Sequence, residues 1–303
     1  MTLRHFLDLP DIDPVQLKYI LANAHKMKTA KYAPPQLLEG LSLAMVFDKK
    51  STRTRFSFEV AMKQLGGHTI VSTIDEIQLS GAENIEDTAE VLSRFVDAIM
   101  IRMSDHETLV ELSKYSRIPI INGLTDHSHP CQIMADLMTV EENLGDIAGK
   151  RVAWFGDYNN VARTWAQAAK LFDFDFIAAV PKDLEQSSPD TKVIFTQDAA
   201  EAAGQADVIV TDTWVSMGQE GKNEDRFKPF QVTPDLMAKA KDSAIFMHCM
   251  PVHRGHEVTN EVLSSPACVI YDEAENRLHA QKAILAWCME EAGVSVQKSF
   301  EFQ

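Results

Sequence analysis

Between residues 246 and 258 the chain reads FMHCMPVHRGHEV, which brings His248, Cys249, His253 and His256 close together in sequence. Such side chains hold transition metals or form thiol–imidazole nucleophile pairs. The spacing argues against both. Zinc needs converging ligands, and Pro251 with Arg254-Gly255 breaks any helix that would align Cys249 with His253. With Cys249 closing a strand, pleat alternation sends His248 to the opposite face. No helix start follows Cys249 to lower its thiol pKa, so a papain-like pair is equally ill-served. The expectation is no metal and no cofactor, with Cys249 a polar group rather than a nucleophile.

Other candidate groups suit an anion. Ser51-Thr52-Arg53-Thr54 follows an apolar run and opens a helical pattern. Free N–H groups at a helix start, three hydroxyls and the Arg53 guanidinium would cradle a phosphate. The competing reading is an N-capping hydroxyl with solvent-exposed arginines. Arg102 ends the run AIMI, and Arg277 is read at the start of the last helix, beyond a strand end. Lys plus Arg total 29 against 44 Asp plus Glu, a net charge of −15, so three arginines at strand ends stand out. Together they suit a small, highly charged anion such as a phosphate ester or acyl phosphate.

Polar groups for a second small molecule lie further along. His129-Pro130-Cys131-Gln132 begins a helix, and His129 and Gln132 share a face, so both can donate to one carbonyl; a capping His is the alternative. Gly156-Asp157-Tyr158-Asn159-Asn160 follows a strand but lacks the glycine fingerprint of dinucleotide binding, and the two Asn could hold an amino-acid head group. Asp212 could pair with an amine, with Ser216 and Met217 beside it. The polar loop over 74–87 is either a mobile active-site loop or an ordinary connection.

These groups need elements that place them after strands. Apolar runs at 41–47, 68–72, 98–101 and 118–121 alternate with helical patterns at 52–65, 84–95 and 106–115. A second series of strands is read at 151–155, 175–180, 207–211, 244–248 and 268–271. The alternation predicts two open, doubly wound α/β domains with parallel sheets. The helix over 129–145 joins them, and a last helix over 275–292 packs back on the first domain. The bounds are 1–130 with 280–303 for one domain and 131–279 for the other. The acidic balance excludes a nucleic-acid surface, and no apolar run is long enough to cross a membrane. Four cysteines without a CxxC pair, and no export signal, predict a cytoplasmic protein with reduced thiols.

STRTR, HPCQ, DTWVSMG and HCMP in this order resemble the aspartate/ornithine carbamoyltransferase family over nearly the whole chain, and the last two resemble its ornithine branch. The resemblance implies transfer of a carbamoyl group from carbamoyl phosphate to the δ-amine of L-ornithine, giving citrulline and phosphate in arginine metabolism. It assigns carbamoyl phosphate to Ser51, Thr52, Arg53, Thr54, Gln78, Arg102, His129, Pro130, Cys131, Gln132, Cys249, Met250 and Arg277. Ornithine falls to Asn160, Asp212, Ser216 and Met217, and catalysis to Cys249, Arg53, Asp212 and His129. It further implies a homotrimer or a multiple of trimers, Gln78 acting on a neighbouring subunit, and a cis bond before Pro251. Met250 stands where Leu is commoner, and Tyr158 where the pattern has Gly. Transfer to putrescine or an acylated ornithine, a non-catalytic binder of a phosphorylated metabolite, and a nicotinamide dehydrogenase are the alternatives.

Overall fold

The computed structural model describes residues 3–30, 34–49, 51–77, 84–215 and 223–290. The chain divides into two compact units, residues 1–134 with 277–303 and residues 135–276. The first begins with helix α1 (Pro14–Thr29), then β1 (Ser42–Phe47), α2 (Thr52–Gln64), β2 (His68–Thr73), α3 (Ile85–Leu92), β3 (Ala98–Arg102), α4 (His106–Tyr115) and β4 (Ile120–Leu124). Helix α5 (Pro130–Leu144) carries the chain out of this unit. The second contains β5 (Arg151–Phe155), α6 (Asn160–Phe172), β6 (Asp175–Ala179), β7 (Ile194–Thr196), α7 (Ala199–Ala203), β8 (Val208–Thr211), α8 (Pro234–Met237), β9 (Ile245–Met247) and α9 (Asn260–Leu263). Helix α10 (Ile270–Glu290) returns the chain to the first unit.

Both sheets are parallel, ordered β2-β1-β3-β4 and β7-β6-β5-β8-β9. Central strands such as β8 are buried along their whole length, as sheets covered on both faces require. Strand order reverses between β1 and β3 in one unit and between β5 and β8 in the other. Loops leaving adjacent strands in opposite directions open a crevice at such a point, where ligands bind in open α/β sheets. The segments after β1, β5 and β8 carry Ser51–Thr54, Asn159-Asn160 and Asp212, and Arg102 ends β3.

The last helix packs on the N-terminal unit, as expected. Lys282, fully buried, donates from Nζ to the Met27 carbonyl (3.3 Å) and Gln64 Oε1 (3.0 Å). Phe6 meets Trp287 edge-on at 6.3 Å, and Trp287 Nε1 donates to Gln16 Oε1 at 3.0 Å.

Several element assignments change. The run at 268–271 is no strand: Cys268 makes only an isolated bridge to Phe246, and α10 starts at Ile270. A short apolar run fits a buried helix start as well as a strand, and periodicity cannot separate them. Arg277 therefore sits inside α10 rather than at its start beyond a strand. Helix α1 and edge strand β7 are additional elements. Among the described residues no helix is long and apolar enough to cross a membrane.

Candidate active site

In the first unit the anion-binding groups gather around Thr54. Ser51 occupies the N-cap position of α2 in extended conformation, yet its side chain makes no capping bond. The capping alternative therefore fails at this residue, and the α2 start keeps its donors for a ligand. Thr52 is exposed and Arg53 half-buried. Thr54, fully buried, accepts at Oγ1 from Arg102 Nη1 (3.1 Å) and from Arg277 Nη2 (2.8 Å). One hydroxyl thus fixes two guanidinium groups delivered by β3 and α10. The β3–β4 register shifts between Ile101 and Arg102, an irregularity of the kind that re-aims a side chain at a strand end.

His129 is buried just before Pro130 opens α5. Burial, then the positive charges of Arg277 and Arg102, hold its imidazole well below the ordinary histidine range. It is therefore neutral, with one N–H to donate to a carbonyl oxygen. Gln132 is buried one turn on. Cys131 turns away from this chemistry: its thiol donates to the Asn122 carbonyl at 3.3 Å, and burial pushes its pKa up to about 12.

In the second unit Asp212 is the centre. It follows β8 and is 8% exposed. Asn159 Nδ2 donates to its Oδ2 at 2.8 Å, and the Cys249 thiol donates to its Oδ1 at 3.3 Å. Asn159 also caps α6, its Oδ1 accepting from the N–H groups of Val161 and Ala162. Both ends of that amide are committed, which makes Asn159 the orienter of Asp212. The sequence pattern points both Asn159 and Asn160 at an amino-acid head group, and the family resemblance Asn160 alone; neither gives Asn159 this orienting role, for which an Asn just before an apolar helical run is the available signal. Asn160 is half-buried, its Oδ1 accepting from Val161 N–H at 3.0 Å. Gly156 lets this turn form: at φ +112, an added Cβ would lie 2.9 Å from the Trp214 ring. Tyr158 packs edge-on against Phe195 of β7 at 5.0 Å. Gln78, Ser216 and Met217 lie outside the described residues.

Cys249 keeps its proton. Burial, then the negative charge of Asp212, push its thiol well above the ordinary cysteine range. A group in that state donates a hydrogen bond and is a poor nucleophile.

The premise that pleat alternation separates His248 from Cys249 is corrected. Strand β9 ends at Met247, Met250 has φ +63, and the Met250–Pro251 peptide is cis. Ligand atoms of Asp212, His248 and Cys249 lie within 4.8 Å of one another. Both nitrogens of the His248 ring are nevertheless engaged by other groups: Nδ1 accepts from Met250 N–H (2.9 Å), leaving Nε2–H to donate to Glu257 Oε1 (3.1 Å). Glu257 also receives His253 N–H at 2.6 Å, so this buried carboxylate closes the turn from 248 to 257. His253 and His256 stand outside that cluster, at the protein surface.

Glu273 and Asp136, each 1% exposed, are the functional neighbours that sequence reasoning missed. Glu273 Oε2 accepts the His248 backbone N–H at 2.8 Å and its carboxyl is hydrogen-bonded to Asp136. Burial, then the Asp136 charge, push the Glu273 carboxyl well above its ordinary value, so it carries the proton given to Asp136. A raised carboxyl pKa stabilises the fold fully below the ordinary value of 4.5, and that contribution is lost as pH rises above it. Glu273→Gln mimics the protonated acid and keeps both bonds. Thermal melts should show its Tm a few degrees above the parent at pH ~8, with little difference near pH ~4. A lower Tm at the higher pH would contradict the shared proton.

The fold and the two groups of polar side chains define a class. The chain belongs to the aspartate/ornithine carbamoyltransferase family: residues 4–142 match its carbamoyl-P binding domain and residues 148–288 its Asp/Orn binding domain. It is 51% identical over 303 residues to the ornithine carbamoyltransferase of Mesorhizobium japonicum, covering 95% of this chain and 99% of that protein. The solved ornithine carbamoyltransferase from Pyrococcus furiosus matches with a TM-score of 0.91 at 45% identity, over 96% of this chain and 99% of the other. The one from Burkholderia thailandensis E264 gives 0.87 at 40% identity, over 93% and 97%.

Proposed function

We propose that the protein transfers the carbamoyl group of carbamoyl phosphate to the δ-amine of L-ornithine, releasing citrulline and phosphate. The observation that carries the choice of acceptor is the buried Asp212 carboxylate, which Asn159 and Cys249 orient with neutral donors. Such a carboxylate suits an ammonium, and the family match supplies the reaction around it.

On this reading Ser51, Thr52, Arg53, Thr54, Arg102 and Arg277 take the phosphate, while His129 and Gln132 donate to the carbamoyl oxygen. Pro130 pre-sets the helix start, and Cys131 offers the substrate its backbone rather than its thiol. As the amine attacks, Arg53, Arg102 and His129 stabilise the developing oxyanion. A δ-amine is protonated at neutral pH, so Asp212 and Cys249 bind it and assist loss of the proton. The family resemblance assigns the Met250 carbonyl to carbamoyl phosphate as well. Asn160 holds the amino-acid end; the family resemblance adds Ser216 and Met217 for ornithine and Gln78 for carbamoyl phosphate, all three outside the described residues. Direct attack by the amine needs no covalent intermediate and no cofactor. The sequence-derived domain bounds, 1–130 with 280–303 and 131–279, belong to this proposal, as does a cytoplasmic location.

A steady-state assay with carbamoyl phosphate and ornithine, putrescine and N-acetylornithine tests it. Citrulline formation with clear preference for ornithine is the expected result. Preference for another amine, or no phosphate release with any, would overturn it.

The proposed trimer is supported by apolar side chains on the N-terminal unit. Phe56 is 62%, Ile70 56% and Phe95 74% exposed. Light scattering should give about three times the 33.9 kDa chain mass. Phe56→Asp with Phe95→Asp should lower that mass on dilution; a native protein already monomeric at micromolar concentration would refute the assembly.

A further inference from the structure

Away from these groups, three side chains from separated parts of the N-terminal unit converge. Asp8 precedes the short 3-10 turn Leu9–Asp11, His106 is the first residue of α4, and His127 lies in the turn between β4 and α5. Ligand atoms from all three lie within 4.8 Å of one another. His127 Nε2 stands 3.4 Å from Asp8 Oδ2, and the two imidazole rings are 4.6 Å apart.

We propose that Asp8, His106 and His127 form a binding site for a divalent transition cation of the zinc class, separate from the groups assigned to the substrates. Two imidazoles with one carboxylate is a ligand set for such ions, and imidazole selects them over calcium and magnesium. Two ligands on a tetrahedral ion with bonds of ~2.0–2.1 Å stand about 3.4 Å apart, the separation already present between His127 and Asp8.

The second ring nitrogen of His106 is arranged as a ligand requires. Thr125 Oγ1 accepts the Ser128 N–H at 3.2 Å, its own proton is directed to the Ser128 carbonyl at 3.5 Å, and His106 Nδ1 lies 3.0 Å away. Nδ1 is thus engaged by Thr125, and the tautomer with Nδ1–H donating to that hydroxyl presents the Nε2 lone pair to the ion. A ligating histidine characteristically donates its other N–H to a fixed acceptor.

The scaffold is rigid. Asp8 Oδ1 is held by the Leu9 N–H at 3.0 Å, and its Oδ2 faces His127 Nε2 at 3.4 Å. Phe6 exchanges 2.8 Å backbone bonds with Ile120 and Asn122, and Asn122 Nδ2 reaches the Leu7 carbonyl at 2.8 Å, tying the N-terminal segment to β4. His127 is 46% exposed, so an ion can enter from solvent and keep a water as its fourth ligand. A bound ion would pin the turn that leads directly to His129.

The test uses the full chain, stripped of metal with a chelator and titrated with zinc by calorimetry and with cobalt by absorption. The expected result is one equivalent bound with micromolar affinity, a tetrahedral cobalt spectrum lacking a thiolate charge-transfer band, and a rise in Tm. His127→Ala and Asp8→Asn should each weaken binding by about tenfold or more, whereas His253→Ala should leave it unchanged. Three outcomes would overturn the site: no binding, binding that survives His127→Ala, or a thiolate band abolished by Cys249→Ser.

Discussion

Asp212→Asn lowers kcat/KM for ornithine by roughly 10²- to 10⁴-fold, the range that a positioned proton acceptor contributes, and leaves carbamoyl phosphate binding within about twofold of the parent. Asn has almost the same shape, so Asn159 still finds an oxygen and the turn after β8 persists. What disappears is the negative charge that draws an ammonium and eases its deprotonation. The δ-amine resembles a lysine, with an ordinary pKa of ~10.4. Activity of the variant should therefore rise further into the alkaline range, where solvent deprotonates the amine unaided. Steady-state kinetics across pH, with equilibrium dialysis for carbamoyl phosphate, separate the two effects. A loss below about threefold, or an equal loss of carbamoyl phosphate affinity, would remove Asp212 from this role.

Thr54→Val is expected to act on the other substrate. Valine fills the same volume but presents no acceptor to Arg102 Nη1 and Arg277 Nη2, both of which now end on one oxygen. Hydrogen bonds to charged groups contribute about 1.5–3 kcal/mol each, and guanidinium groups that lose a buried acceptor move to find another. On the proposed reading they are also the phosphate ligands, so KM for carbamoyl phosphate should rise on the order of 10- to 100-fold while KM for ornithine changes little. Thr54→Ser restores the hydroxyl and should return most of the affinity. Unchanged carbamoyl phosphate affinity in the valine variant would show that Thr54 does not position the arginines.

Many of the candidate residues in both units were legible because they are consecutive. Ser51 to Thr54 follow β1, Arg102 ends β3, His129 to Gln132 open α5 and Asp212 follows β8. Open parallel sheets present ligands at such strand ends, so an α/β alternation and a few polar clusters were enough to find them. The family resemblance rests on the same local runs. The paired parallel sheets and the return of the last helix were equally readable, since hydrophobic periodicity over whole segments survives local ambiguity.

What only the tertiary structure decided are relationships between residues far apart in the chain. Thr54 is the joint acceptor of arginines from β3 and α10, and Asn159 orients Asp212 across two strand ends. Glu273 shares a proton with Asp136, and Asp8 meets His106 and His127. A buried polar group is satisfied by whatever lies beside it in space, and its pKa follows burial and neighbouring charge. Neither quantity is encoded in local spacing. The same reason revised the segment that first suggested a metal: the chain leaves the strand at Met247, and the His248 and Cys249 side chains find separate partners, Glu257 and Asp212, that no alternating pattern could describe.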